Sequence, residues 1–107
     1  MALRTPPTPA VRPLSPLRNV GKAALADFRT LGVTTIAQLA QCEPDDLYRD
    51  LCRATGTRHD PCVHDVFAAT VHEARTGEAL DWWRFTPARK QRQAAGEGPF
   101  AVNPAPG

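Results

Sequence analysis

The sequence of 107 residues has no long hydrophobic run and no segment typical of secretion. Its apolar runs fall well short of the roughly 20 residues that a membrane-spanning helix needs. The first seven residues, MALRTPP, lack the apolar centre of a signal peptide. The length permits one domain with a small core. We therefore expect a cytoplasmic protein without membrane association.

Cysteine is scarce, since the sequence contains only Cys42, Cys52 and Cys62. An odd number of cysteines does not suit a disulfide framework, and nothing in the sequence indicates an oxidising compartment. We therefore expect reduced thiols. Cys42 lies next to a predicted helix end and is expected to be structural.

The common signatures of enzymes are also missing. The sequence has no Gly-rich nucleotide loop of the Walker or dinucleotide type and no Ser-His-Asp arrangement. Its acidic residues fall mainly at expected helix caps and in solvent positions. We therefore predict that the protein is not an enzyme, and we expect no cofactor and no small-molecule substrate.

Strand-like alternation and internal repeats are absent as well, whereas signals for helix starts and ends recur. They predict an all-α fold in the form of a small helical bundle. The first helix follows Gly21 and ends at Gly32, and a second helix begins after a Thr34 cap. A third helix begins at residues 43–46, where acids and a proline favour a start, and it ends at Gly56. The expected buried residues of these helices are Ala24, Leu25, Phe28, Leu31, Ile36, Leu39, Ala40, Leu47, Tyr48, Leu51 and Cys52.

The longest predicted helix starts at residues 60–61 and runs to about residue 75. Its apolar residues recur at spacings of three and four, so we expect this helix to be the centre of the core. His72 falls on its polar face and is expected to be solvated. Trp82 and Trp83 follow, and we expect at least one of these rings to close the bottom of the core.

Both ends of the chain are rich in proline or glycine. Residues 1–15 contain Pro6, Pro7, Pro9 and Pro13, which predicts a disordered basic arm. A last basic helix is predicted from residue 88 to about 93. Residues 94–107 contain three glycines and three prolines, which predicts a disordered tail. The helical domain is therefore expected to span residues 16–93.

Charge is distributed unevenly along the chain. Residues 1–42 carry five basic residues against one acidic residue, and residues 82–107 carry four against one. Residues 43–81 carry nine acidic residues against four basic ones. This asymmetry suits a module whose basic ends face an anionic polymer, although solvated helix faces would give the same pattern.

Residues 17–22, LRNVGK, stand before a helix whose first turn is open. Gly21 has no Cβ to block an approaching group, and Asn19 is one of the few other residues that tolerate positive φ. We therefore expect a tight, left-handed turn. The first N–H groups of a helix have no intrahelical partner and lie at the positive end of the helix dipole, and Lys22 adds a charge there. Such a turn suits a phosphate or a carboxylate.

These residues resemble the helix-hairpin-helix motif, in which a turn of pattern apolar-x-Gly-apolar-Gly joins two helices and holds a nucleic-acid phosphate on its backbone amides. Asn19 stands where the first glycine is usual, and Arg18 stands where a proline is common. The resemblance implies a SAM-like helix-hairpin-helix at residues 16–41. An ordinary packing turn is the alternative. The residues that the motif assigns to DNA binding are Arg18, Asn19, Val20, Gly21 and Lys22.

The run of residues 58–62, RHDPC, has three interpretations. Cys62 falls near a helix start, where unpaired amides and the dipole stabilise a thiolate. A zinc site is the second interpretation, but the spacing lacks a Cys-x-x-Cys pair and matches no recurrent zinc pattern. We favour the third, in which the cysteines are small buried residues and His59 bonds a loop carbonyl, so we predict no metal site. The four candidate ligands are Cys52, His59, Cys62 and His64.

Residues from about 16 to 90 also resemble a small bacterial family of pathogenicity locus or mitomycin resistance proteins. The run of residues 58–62 is the most specific part of this resemblance. The family implies an all-helical module with DNA association, and it supplies no known reaction. The resemblance rests on Asn19-Val20-Gly21, Leu31-Gly32-Val33, Leu47-Tyr48, Leu51-Cys52, residues 55–62, Val66-Phe67 and Trp82-Trp83.

The hairpin, the basic ends and the family resemblance lead to one functional hypothesis. We predict a sequence-nonspecific DNA-binding accessory module that contacts the phosphate backbone, with a link to DNA repair or DNA-damage resistance. DNA is the expected partner. The alternative is a protein-interaction or thiol/zinc module that uses Cys52, His59 and Cys62.

Overall fold

A computed structural model describes residues 12–101, and its regular elements are helices. The five α-helices in that range are α1 (Lys22–Thr30), α2 (Ile36–Ala40), α3 (Pro44–Thr55), α4 (Cys62–Thr76) and α5 (Thr86–Ala94). Two short 3₁₀ helices, Trp82–Phe85 and Pro99–Ala101, precede and follow α5. An isolated antiparallel bridge joins Pro13 to Thr35. The predicted all-α class is confirmed. None of the helices in residues 12–101 combines the length and the apolarity needed to cross a membrane.

The helix ends follow from local sequence signals. Both α3 and α4 are followed by a glycine in the left-handed conformation, with φ of 65° at Gly56 and 79° at Gly77. The predicted ends of these helices are confirmed. The start of α2 differs from the prediction by one residue. Thr35, not Thr34, is the cap, because its side chain accepts from the Gln38 N–H while the Gln38 side chain accepts from the Thr35 N–H.

The core lies between α4 and the elements that pack against it. Helix α4 packs against α2, α3 and the Trp82–Phe85 turn, as expected for the longest helix. Phe28 of α1 and Phe67 of α4 are fully buried, with ring centroids 5.3 Å apart. Leu39 and Leu51 are also fully buried. Burial of aromatic rings and leucine side chains removes a large apolar area from water. Packing between α4 and its neighbours therefore contributes most of the stability of the fold.

The folded domain extends into both predicted tails. Leu14 is buried, and the N–H of Ile36 donates to the carbonyl of Arg12 at 3.0 Å, so residues 12–15 belong to the fold. Phe100 is also buried, with its ring centroid 5.7 Å from that of Tyr48. Residues 94–101 are therefore part of the domain. Burial of the Phe100 ring stabilises this segment by more than the glycines and prolines around it destabilise it. Residues 1–11 and 102–107 of the predicted tails lie outside the described residues.

The expectation that a tryptophan closes the core is wrong. Trp82 is half-buried and Trp83 is 57% exposed, and neither belongs to the buried hydrophobic cluster. Phe100 enters that cluster instead. The prediction failed because it assumed that the largest apolar rings would be covered.

Buried charge joins α5 to the rest of the molecule. The Asp65 side chain is fully buried on α4, and it accepts from Nε and Nη2 of Arg89 at 3.1 and 2.9 Å. The Thr86 hydroxyl donates to the same carboxylate at 2.7 Å. A second pair joins α5 to α3, since Arg92 donates to both carboxylate oxygens of Asp45. The expectation that acids lie mainly at caps and in solvent is wrong for Asp65.

We expect Phe100→Ala to lower the free energy of unfolding by about 3–5 kcal/mol, because it removes a fully packed ring and leaves a cavity. Denaturant titration followed by circular dichroism measures this loss. Trp83→Ala is the control, since it removes a larger ring that is mostly in water, and its cost is expected below about 1 kcal/mol. Similar losses in the two variants would contradict the assignment of Phe100 to the core.

Candidate nucleic-acid interface

Residues 14–21, here called the hairpin, form consecutive turns before α1. The N–H of Leu17 donates to the carbonyl of Leu14 at 3.0 Å, and the N–H of Val20 donates to the carbonyl of Leu17 at 3.2 Å. Helix α1 then begins after Gly21. Within residues 12–101 no regular helix precedes these turns. The helix-hairpin-helix therefore stays a prediction.

The predicted left-handed turn is wrong. Gly21 has φ of −105° and ψ of −166°, an extended conformation that any residue adopts. Asn19 has no positive φ either, since the positive values in the described range belong to glycines alone. A Cβ added at Gly21 would meet no atom within 4 Å outside the glycine and its two chain neighbours. The backbone here is open to an approaching group, but the turn does not require glycine.

Asn19 ties the hairpin to a distant part of the chain. Its Nδ2 donates to the carbonyl of Leu80 at 2.7 Å, and its Oδ1 accepts from the N–H of Trp82 at 3.1 Å. Both polar atoms of the amide are therefore used inside the protein. Asn19 is a positioning residue that holds the hairpin beside the Trp82–Phe85 turn. Its predicted contact with DNA stays a prediction.

Arg18 is exposed at the surface and is bound there by two acidic side chains. Its Nε donates to Asp81 at 2.6 Å, and its backbone N–H donates to Glu73 at 2.9 Å. The hydrogen bond and the charge of Asp81 raise the pKa of the Arg18 guanidinium. Val20 is half-buried and packs against the core. Gly21 and Lys22 are thus exposed without a side-chain hydrogen bond or ion pair in the described residues, whereas Arg18 is exposed but paired with Asp81.

The start of α1 keeps the features of an anion site. Gly21 offers no side-chain cap, and the first turn of α1 contains no acidic residue. The first amide N–H groups of α1 therefore point outward without a side-chain acceptor. Lys22 is exposed and forms no ion pair with any residue in the described part of the chain. Amides, helix dipole and ammonium group all favour an anion here.

The candidate zinc ligands are held in separate hydrogen bonds. Nε2 of His59 lies 2.8 Å from the Thr55 hydroxyl, and Nε2 of His64 lies 2.7 Å from Asp45. Cys52 is fully buried and accepts from the N–H of His59 at 3.5 Å. Residues 12–101 contain no group of three or more ligating side chains. The four candidates do not converge on one point.

The thiolate interpretation of Cys62 is opposed by its neighbour Asp60. The Asp60 carboxylate accepts from the N–H of Cys62 at 2.8 Å and so occupies the helix start. Its hydrogen bond and its charge raise the pKa of the Cys62 thiol, with burial acting in the same direction. Cys42 is half-buried, with its thiol donating to the Gln38 carbonyl at 3.3 Å, as expected of a structural residue. His72, expected to be solvated, is half-buried and lies 2.6 Å from Glu78.

A cleft of about 560 Å³ lies between α3, α4 and α5, and no local sequence pattern predicts it. His64 lies at its edge, nearly buried, with Nδ1 lacking a hydrogen-bond partner in the described residues. Burial lowers the pKa of His64, and the Asp45 carboxylate opposes this effect. The Arg92 hydrogen bond lowers the pKa of Asp45. The signal that could have revealed this cluster is the pair of arginines Arg89 and Arg92, which share one face of a basic helix.

Comparison with known proteins identifies a family and a bacterial relative of this chain. The family model described as "Pathogenicity locus" matches residues 8–91. The mitomycin resistance protein McrB of Streptomyces lavendulae is 42% identical over 85 residues, which are 79% of this chain and 80% of that protein. No solved structure matches the chain.

Asn19→Ala should lower the free energy of unfolding by about 1–3 kcal/mol, because it leaves the Leu80 carbonyl and the Trp82 N–H without their partner. Gly21→Ala is the matched control and should cost less than about 1 kcal/mol, since an added Cβ meets open space. Thermal or denaturant unfolding of both variants measures the difference. A larger loss in Gly21→Ala than in Asn19→Ala would contradict the assigned roles.

We expect the stability of the fold to decrease in acid, in two steps. Because the pKa of His64 is lowered by folding, the unfolded chain binds a proton that the folded chain does not, and stability falls as the pH drops below about 6.5. The lowered pKa of Asp45 adds a second loss below about pH 4. Unfolding titrations at a series of pH values measure this. In His64→Gln the loss between about pH 7 and 5 should shrink while the lower step remains. An unchanged upper step would contradict the assignment.

Proposed function

We propose that this chain, which belongs to the pathogenicity locus family, binds the DNA backbone without reading the bases and acts as an accessory module. The observation that carries this proposal is the open start of α1 at Gly21 and Lys22. Its outward amides, its free ammonium group and the absence of a Cβ at Gly21 fit a phosphate oxygen. Phosphates carry no sequence information, so binding of this kind is nearly equal for all sequences.

The charge around the Trp82–Phe85 turn supports the same proposal. Arg84 and Lys90 are exposed and form no ion pair within residues 12–101. Asn19 holds the hairpin against this part of the chain, so Lys22, Arg84 and Lys90 belong to neighbouring segments. With roughly three phosphates neutralised, the slope of log affinity against log salt is expected near −3. Arg18 is left out of this number because Asp81 binds its side chain.

The name of the Streptomyces relative suggests a biological setting. That protein is a mitomycin resistance protein. We extend the proposal to a role of this chain in DNA repair or DNA-damage resistance, exercised through DNA binding and not through a reaction of its own. The protein-interaction module stays the competing hypothesis, in which the hairpin serves for packing alone.

Lys22→Ala should weaken duplex binding at low salt and reduce the salt slope by about one unit, because one phosphate contact is lost. Gly21→Val should fold, since φ of −105° suits valine and no protein atom lies within 4 Å of the new Cβ. It should still bind more weakly, because its methyl groups stand where the phosphate approaches. Fluorescence anisotropy with two unrelated duplexes of about 20 base pairs, titrated between about 50 and 200 mM salt, measures both effects.

Arg49→Ala is the matched control, since it removes one positive charge from α3, where Arg49 pairs with Asp46 at 2.9 Å. Its binding and its slope should stay close to those of wild type. Absence of binding by the wild type at low salt would overturn the proposal in favour of the interaction module. Equal binding by Gly21→Val and wild type would show that α1 does not receive the phosphate.

A further inference from the structure

The Trp82–Phe85 turn presents an aromatic ring that the fold does not use. Trp83 is the one large hydrophobic residue in residues 12–101 that is classed as exposed, with 57% of its surface in contact with solvent. Its ring meets that of Trp82 in a T-shaped contact, with centroids 5.8 Å apart and planes at 81°. The contact supports Trp83 without covering it. Such a ring adds nothing to the core and leaves a large apolar surface in water.

The surroundings of Trp83 are basic and open. Trp82, Trp83 and Lys90 line a shallow cleft of about 480 Å³, together with Cys62, Thr86, Pro87 and Arg89. Lys90 is exposed and unpaired in the described range, and Arg84 follows Trp83 directly. No acidic side chain lines the cleft. An exposed aromatic ring that shares a cleft with Lys90 and is followed in the chain by Arg84 fits a base and its phosphate. An apolar protein surface would gain nothing from these charges.

The turn is held at both ends, so the ring has a defined position. Before it, Asn19 binds the Leu80 carbonyl and the Trp82 N–H. After it, Thr86 and Arg89 bind the buried Asp65. A ring on a fixed turn loses little conformational freedom when it stacks on a ligand, which favours binding.

The ring also lies within reach of the phosphate site at α1. One residue, Val20, lies between Asn19 and Gly21, and Trp82 and Trp83 are adjacent in the chain. The covalent bonds of these segments and the hydrogen bond between Asn19 and the Trp82 N–H limit the distance between the Cα atoms of Gly21 and Trp83. These two atoms are at most about 20 Å apart. Roughly six nucleotides cover that distance at the ~3.4 Å rise of a stacked strand, and a more extended single strand needs fewer. One short strand can therefore contact both places.

We propose that Trp83 stacks on an unpaired base of the bound strand, so that the preferred ligand is DNA with a single-stranded segment. The inference rests on the proposed function, because it assumes that Lys22 and the start of α1 receive the phosphates. Bases inside a duplex already stack on each other and cannot present a face to Trp83, so the ring distinguishes unpaired from paired DNA. Stacking tolerates any base, which agrees with binding that does not depend on sequence.

The test compares an oligothymidine of about 12 nucleotides with a blunt duplex, by anisotropy and by quenching of tryptophan fluorescence. Trp83→Ala should weaken binding of the single strand by about 5- to 100-fold and leave duplex binding nearly unchanged. Trp83→Phe should retain most of the affinity, while Trp83→Leu, which keeps an apolar side chain but has no ring, should not. Unfolding curves of the variants verify that each is folded.

The possible outcomes separate this inference from the proposed function. If Lys22→Ala weakens binding but Trp83→Ala binds the single strand as well as wild type does, the stacking inference is wrong and the phosphate site stands. If the wild type binds no DNA at low salt, both are wrong. If Trp83→Ala changes the elution volume of the protein in gel filtration and leaves DNA binding intact, the ring lies in an interface with a second copy of the chain. The inference is then overturned.

Discussion

A single buried carboxylate, that of Asp65, determines how the second half of the molecule is arranged. A charge removed from water is costly unless it is paired and fully hydrogen-bonded, and here two nitrogens of Arg89 and the Thr86 hydroxyl satisfy it. In proteins, leaving one such buried charge without its partner costs about 3–5 kcal/mol. Because these partners lie in the first turn of α5, the pair fixes where α5 starts. It therefore also fixes the Trp82–Phe85 turn immediately before it.

The hairpin and the start of α1 contain residues that hold the fold together and residues that are exposed at the surface. Asn19 and Arg18 bind distant parts of the chain, at Leu80, Trp82 and Asp81. These contacts hold the nearby residues Gly21 and Lys22 at an exposed helix start. Asn19 thus has a positioning role, and the backbone after it needs no special conformation.

The helices could be predicted because their signals are local. Glycines such as Gly56 end a helix through their own backbone conformation, and the apolar period of α4 is visible within its 15 residues. The site could be predicted only in part. Gly21 and Lys22 follow from the sequence around them, whereas the partners of Arg18 and Asn19 lie 55 to 63 residues away. Phe100 was missed for the same reason, because its partners Tyr48 and His64 are remote and its neighbours are glycine and proline.

The position of Phe100 has a consequence for the time course of folding. Chains emerge from the ribosome with the N-terminal side first, and domains form as their parts become available. Leu14 and Phe100 enter the same buried cluster, so its earliest and latest members are separated by most of the domain. The surfaces of Tyr48 and His64 that contact the Phe100 ring stay uncovered until synthesis has passed residue 100. During that interval the nascent protein exposes apolar surface that a chaperone can bind, and packing is completed only when the Phe100 ring arrives.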